Sequence, residues 1–488
     1  MSERPSTDEA VPPRSNPVVI GLIGLLTVVI GALESMTIPV LPLLRADLSL
    51  STAQAALIPS TLVITGALAT PVVGSLADRY GGRVLLLGVS GVVVAGAATS
   101  ALAGTFPLLV AGQALQGIGV AFLPLGLVLL RERFPAEKRT VAVGLVAGLF
   151  TLGGGTGVIT AGPIAENLSW RWMFALPALV ITVVALVAAW VLPGAAPRSG
   201  AAPGKVDWAG GVLLAATLFS LMLALTELPS EGWSSPMVLS FLAAALVLGT
   251  VFVLVESRVS DPFVDVAMLR RPVMIGTTLV AIVLGMGYAV AYMAIPQLVV
   301  MPKETGFGLG GTVSDVGLYL FPGAAVAALA GPLAGAAGRR AGTRAVLIGG
   351  LVIAAAGSLV GAWMHDSAWQ LILLFVLIGI GVGAGLTALY NGILDSVGPD
   401  AAGAATGLNT VARSVGLSLG FQVSAAVISR SAEGSPVPVP TEAGYTNSFL
   451  VAAAITALAV LGTWGVPGRR AATPPTVATE DRAPTVPA

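Results

Sequence analysis

Glu34 and Arg413 are ionisable residues set inside sequence that is otherwise apolar enough to cross a bilayer. Glu34 lies in ALESMTIPVLP and Arg413 in GLNTVARSVG. A charge at the centre of a membrane helix costs about 2.5–3.5 kcal/mol on insertion scales, so such residues mark function by default. A carboxylic acid there can load and release a proton. The competing reading is an acid that faces a water-filled vestibule without coupling to anything. At about 1.5 Å per residue, Glu34 lies about 12 Å below the outer surface and Arg413 about 17 Å from the inner one. With a core of about 30 Å the two depths match, so both are expected to face one central cavity. The alternative for Arg413 is pairing with backbone carbonyls of its own half.

Gln113 lies at a similar depth and can donate and accept hydrogen bonds without holding a charge. Substrate contact and inter-helix bonding are both open for it. Gln297, Tyr292, Tyr390 and Asn391 complete the candidate substrate cavity, with a helix–helix hydrogen bond as the alternative for Gln297. Asp315 opens a helix beside Thr312 and Ser314, where a carboxylate is favourable without a transport role. His365 is the single histidine, in an outer loop, and no metal site is read from it.

Other chemistries are excluded. Without cysteine there are no disulfides, thiolate metal sites or cysteine nucleophiles. GGGTG (Gly153 to Gly157) and GFGLGG (Gly306 to Gly311) follow no strand and carry no Walker lysine, so nucleotide binding is not indicated. Close helix packing accounts for the first and a flexible outer loop for the second. No nucleophile, acid pair or metal cluster suits an intramembrane enzyme, and no cofactor is implied.

The elements that position these residues follow from composition. Of 488 residues, 56% are hydrophobic and 10% charged, with mean hydropathy +0.93. Soluble domains carry about 25% charged residues, so lipid must be the solvent here. The net charge is zero, which offers no basic face to nucleic acid. Apolar runs of spanning length predict fourteen helices, near 17–42, 53–77, 84–104, 106–130, 140–165, 172–192, 208–226, 236–255, 273–299, 313–337, 345–364, 368–391, 402–428 and 446–466. Nineteen of the 24 Lys and Arg fall on one side of this alternation, against Arg45, Arg171, Lys303 and Arg430 on the other. By the positive-inside rule both termini are cytoplasmic, in a multi-pass cell-membrane protein. Residues 1–16 form an N-tail and 17–192 a six-helix half. Residues 193–272 hold two linkers and an inserted hairpin, 273–467 a second six-helix half, and 468–488 a disordered tail.

The halves repeat. At an offset of 261, GSLADRYGGR (Gly74 to Arg83) answers GAAGRRAGTR (Gly335 to Arg344). At 262, GIGVA (Gly117 to Ala121) answers GIGVG (Gly379 to Gly383), and duplicated bundles are the build of secondary transporters.

The first ten-residue stretch, read as a tight loop, resembles the loop 2–3 signature of the major facilitator superfamily. Leu115 to Gly119, Trp170 to Phe174, Asp207 to Gly210, Asp261-Pro262 and Asn409 through Arg413 to Gly420 resemble further landmarks of its fourteen-helix drug:proton antiporter branch. The resemblance implies an all-α major facilitator fold, alternating access, and proton-driven export of amphipathic drugs or antibiotic-like metabolites. The partners implied are a small substrate, protons and lipid, with the protein monomeric. Glu34 and Arg413 would carry proton coupling. Gly74, Asp78, Arg79, Arg83, Arg340 and Arg344 would form a cytoplasmic gate, against the plainer reading of a solvated positive-inside loop. There are departures: Gln113 stands where the family has Arg, Val158 and Ala161 break the helix 5 antiporter motif, and Arg339 stands opposite Asp78. Proton-coupled uptake and a non-transporting receptor or scaffold are the alternatives.

Overall fold

The computed structural model describes residues 17–122, 125–126, 136–192, 208–232, 234–259, 271–394, 402–431 and 440–466. Both expected tails and most of both linkers lie outside them. Among the described residues the elements are α-helices and three short 3-10 turns. In the N-terminal half these are α1 (Pro17–Met36), α2 (Leu41–Leu48), α3 (Thr52–Tyr80), α4 (Gly82–Ala101), α5 (Phe106–Gly117), α6 (Ala136–Asn167) and α7 (Trp172–Val191). Then come α8 (Trp208–Glu231) and α9 (Pro236–Glu256). The C-terminal half holds α10 (Pro272–Val300), α11 (Val313–Ala341), α12 (Thr343–Trp363), α13 (Ala368–Leu394), α14 (Ala402–Arg430) and α15 (Glu442–Gly462). By length and composition nine described helices can cross a membrane, or ten if the bent pair α1–α2 is one span. That pair bends by 60°. Pro39 lies in the break and Pro42 in the first turn of α2, where a missing N–H costs nothing.

The stretch Gly74 to Arg83, expected as a loop, is helical except for one residue. α3 runs to Tyr80, Gly81 alone turns the chain, and α4 starts at Gly82. The second copy does the same, with Gly342 between α11 and α12. Gly81 and Gly342 have φ of 88° and 92°, with ψ of 144° and 148°. Only glycine adopts that region at low cost, so one residue replaces a loop. The repeat extends to the helix starts. Ser51 and Gln54 form a capping box on α3, and Thr312 and Asp315 form one on α11. Asp315 therefore serves its helix start, since its carboxylate accepts from the Thr312 backbone N–H at 2.8 Å.

Packing is duplicated too. α1 lies on α6 and α7, while α10 lies on α14 and α15. α4 lies on α5 and α7, while α12 lies on α13 and α15; α3 on α5 matches α11 on α13. The main contacts between halves are α6 with α11 and α3 with α14, which the repeat exchanges with each other. α8 and α9 pack together, and α8 leans on α3 and α14 at the seam. The outer faces are apolar, and exposed tryptophans ring both ends: Trp190 and Trp464 at one, Trp172, Trp363 and Trp369 at the other. Tryptophan favours membrane–water interfaces, which suits a bilayer between these two rings.

Candidate functional site

Glycines bring the backbones together and so fix the two charged residues. A Cβ at Gly153 would strike the Val28 carbonyl, and one at Gly157 the backbone of Ala32. The GGGTG stretch thus seats α6 against α1, one turn before Glu34. In the other half Gly416 and Gly420 of α14 touch the Ile282 and Met286 carbonyls of α10 in the same way. Gly285 approaches the carbonyl of Arg413 itself. Small residues four apart on one face permit such close approach.

Between the halves lies a cavity of about 1290 Å³. Both Glu34 and Arg413 line it. Each is half-buried. The Arg413 Nε atom is buried without a hydrogen-bond partner. The cavity reaches Gly338, Arg340 and Thr343, so it extends to the arginine-rich end of the bundle. One wall is aromatic. Tyr288 stacks on Tyr292 at 5.2 Å, and Tyr292 on Phe375 at 5.5 Å. These rings are a flat apolar surface with polar hydroxyl edges, suited to an amphipathic guest.

The other sequence-predicted residues divide. Tyr292, Tyr390 and Asn391 line the cavity, and Tyr390 shares a hydrogen bond with Thr410 at 3.2 Å. Gln113 does not line it. This residue is fully buried in α5, which packs on α3 and α4, and neither amide atom has a hydrogen-bond partner. Its neighbour Gln116 makes the inter-helix bond instead, to Ser100 at 2.7 Å. Gln297 is also off the wall: it accepts from Arg45 at 3.3 Å, joining α10 to α2.

Two of the expected gate arginines make contacts within their own half. Arg83 donates to the Ala189 carbonyl of α7 at 2.6 Å, within its own half. Its repeat mate Arg344 lies over the Trp464 ring at 4.8 Å, just past α15. Each ties its helix to the end of its own half. Gly335 and Arg340 line the cavity. The side chains at Gly74, Asp78, Arg79 and Arg339 lie outside the described residues.

At the opposite end the halves are joined. The Glu166 carboxylate accepts from the Ser314 N–H at 2.8 Å and from its hydroxyl at 2.6 Å. A negative charge from α6 therefore sits on the N-terminus of α11. Desolvation pushes the Glu166 carboxyl upward, but bonds from Ser314, Thr312 and Val313 outweigh it and hold it below its ordinary value. A Cβ at Gly162 would overlap the Ser314 backbone, and one at Gly317 the Val158 carbonyl, so the two helices meet closely here. Asp47 accepts from the Trp170 indole at 2.7 Å and lies 3.9 Å from Arg171, bracing α2 on the same half. The halves are thus joined at this end, while the cavity lining extends toward the arginines.

Sequence reasoning passed over Tyr288, Phe375 and Glu166. Tyr288 and Tyr292 stand four apart on a span, a pattern that marks one face. Phe375 had no such signal, and Glu166 reads as an ordinary charge at a helix end.

Known proteins show the same architecture and the same sequence family. By structure, a point mutant of the nucleoside transporter NupG aligns with TM-score 0.67 at 12% identity, over 92% of this chain and 98% of that one. An auto-inhibited POT family peptide transporter gives 0.66 at 16% identity, over 92% and 96%. By sequence, the tetracenomycin C resistance and export protein of Streptomyces glaucescens is 31% identical over 410 residues, 82% of this chain and 74% of that protein. The cephamycin export protein of Amycolatopsis lactamdurans is 29% identical over 449 residues, 90% of each. The model of the Major Facilitator Superfamily matches residues 23–314 and again 277–487, once for each part of the duplication. With its paired half-bundles around one cavity, this chain belongs to the Major Facilitator Superfamily and is a multi-pass membrane transporter rather than an enzyme.

Proposed function

We infer that the protein exports antibiotic-like or multidrug amphipathic molecules across the cell membrane in exchange for protons. The observation that carries this is the cavity between the halves, lined by Glu34, Arg413 and stacked aromatic rings. The relatives named as antibiotic export and resistance proteins favour export of such compounds. In this reading the arginine-rich end is cytoplasmic, both termini are inside, fourteen helices span the bilayer, and the chain works as a monomer. The substrate enters from the cytoplasm or inner leaflet and lies against Tyr288, Tyr292 and Phe375.

Release requires the opposite end to open, so that Arg45–Gln297 and Glu166–Ser314 part while the arginine-rich end closes. Glu34 takes a proton from outside in the open state and yields it inside. Arg413, on the same cavity, supplies a counter-charge to Glu34 once that proton has left. The driving force suffices: each charge crossing 100 mV is worth about 2.3 kcal/mol.

The test is reconstitution in vesicles with an imposed pH gradient and a panel of cationic and neutral aromatic dyes. Gradient-dependent dye movement with opposite proton flux is expected. Dye movement that ignores the gradient would remove the antiport, and no movement across the panel would remove multidrug export.

A further inference from the structure

The chain's single histidine, His365, occupies the short connection between α12 and α13, at the Glu166 end of the bundle. Although it sits in a connection, it is only 3% exposed. Its ring is oriented by Nδ1, which lies 2.9 Å from the Gly361 carbonyl. A carbonyl only accepts, so Nδ1 carries the hydrogen and the neutral ring keeps its lone pair on Nε2. That atom is buried without a hydrogen-bond partner. It faces the Glu442 Oε1 atom at 3.5 Å, from the first residue of α15.

A lone pair aimed at a carboxylate oxygen calls for positive charge between them. A second carboxylate, Asp366, is adjacent in the chain. Ligand atoms of His365, Asp366 and Glu442 all lie within 4.8 Å of one another. Tetrahedral bonds of about 2.1 Å to zinc place neighbouring ligand atoms about 3.4 Å apart, close to the observed nitrogen–oxygen separation. Both carboxylates are exposed at the surface and can swing inward at small cost, while the buried imidazole is already fixed. An Nδ1–H bonded to a backbone carbonyl is the usual orienting contact of a metal-bound histidine.

We propose that His365, Asp366 and Glu442 bind one divalent transition-metal ion of the zinc class, with water completing the shell. The ion ties the α12–α13 connection to the start of α15. It lies within the C-terminal half and away from the transport cavity, so the assignment does not depend on the transport reading. Nitrogen ligation selects zinc, cobalt or nickel over calcium and magnesium.

The test uses the full chain purified in detergent through a histidine-free tag. Zinc is expected to bind at one ion per chain and to raise the thermal unfolding midpoint, while calcium and magnesium leave it unchanged. Cobalt is expected to give visible absorption bands that zinc displaces. His365→Ala should abolish both signals. Should that variant fail to fold, the surface changes Asp366→Asn and Glu442→Gln should each weaken zinc binding by about 10-fold or more. The proposal is overturned by stoichiometry well below one, by an equal midpoint rise in His365→Ala, or by unaltered zinc affinity in both carboxylate variants. A midpoint that follows pH in metal-free buffer and ignores zinc would also overturn it, because a proton then bridges His365 and Glu442.

Discussion

Glu166→Gln offers the sharpest test of how the halves separate. In the structure its carboxylate accepts two hydrogen bonds from Ser314, at 2.8 and 2.6 Å, across the seam. Hydrogen bonds to a charged group are worth about 1.5–3 kcal/mol when sheltered. Glu166 is exposed, and exposed charge interactions shrink to about 1 kcal/mol or less. Glutamine keeps one acceptor oxygen but loses the charge that favours the α11 N-terminus. A loss of about 1 kcal/mol corresponds to about a fivefold shift toward the state open at this end. The chain contains no cysteine, so spin labels on Leu168→Cys and Lys303→Cys report the opening directly. Both positions are exposed and lie on opposite halves of that end. Distance distributions at pH 7 should gain a longer population in Glu166→Gln. The pH dependence has a definite sign. Because the carboxyl is held below its ordinary value, the latch is complete above about pH 4.3 and weakens as pH falls through the lowered value. The parent should therefore approach the variant only as pH falls below the ordinary carboxylate range. Ser314→Ala should give a similar shift, and the double variant less than the sum. Identical distributions for parent and Glu166→Gln at pH 7 would refute the latch.

Four further outcomes are expected. Gly162→Leu should open the same end more than Glu166→Gln does, because its side chain has only the Ser314 backbone to displace; unchanged label distances would count against the close packing. Glu34→Gln should lower gradient-driven dye export by at least about 10-fold, while dye binding measured by fluorescence stays within a few-fold of the parent; unimpaired driven export would remove Glu34 from coupling. Tyr292→Ala removes the middle ring of the stack and should weaken binding of aromatic dyes by about 5–10-fold, at about 1 kcal/mol for one aromatic contact, with little effect on aliphatic cations. Gly342→Ala should destabilise the protein by about 1–3 kcal/mol because φ is 92° and ψ 148° there, which thermal unfolding in detergent would register.

Several features were legible in the sequence for physical reasons. Lipid cannot hydrogen-bond a backbone, so spanning segments must be helices, and apolar runs announce them. The offset of 261 between GSLADRYGGR and GAAGRRAGTR foretold a repeat, and it carries through to Gly81 and Gly342, to both capping boxes and to the packing of each half. The reading of GSLADRYGGR as a loop failed because charges and glycines together look like a turn. A single glycine at positive φ suffices to reverse the chain, and the charges ride on helix ends.

Sequence by itself determined that this chain is a duplicated, membrane-embedded helical protein with an acid and a base inside its spans. It could not decide which way any span faces. A helix that is apolar all round carries no stripe to mark its inner side, so Glu34 on the cavity and Gln113 buried against α3 and α4 look alike in one dimension. Tertiary structure alone set Arg83 on Ala189 and Arg344 on Trp464, put Glu166 on Ser314, and brought His365 to Glu442. These are contacts between residues far apart in the chain, and their partners are chosen by helix rotation and tilt, which close glycine packing fixes and local sequence does not.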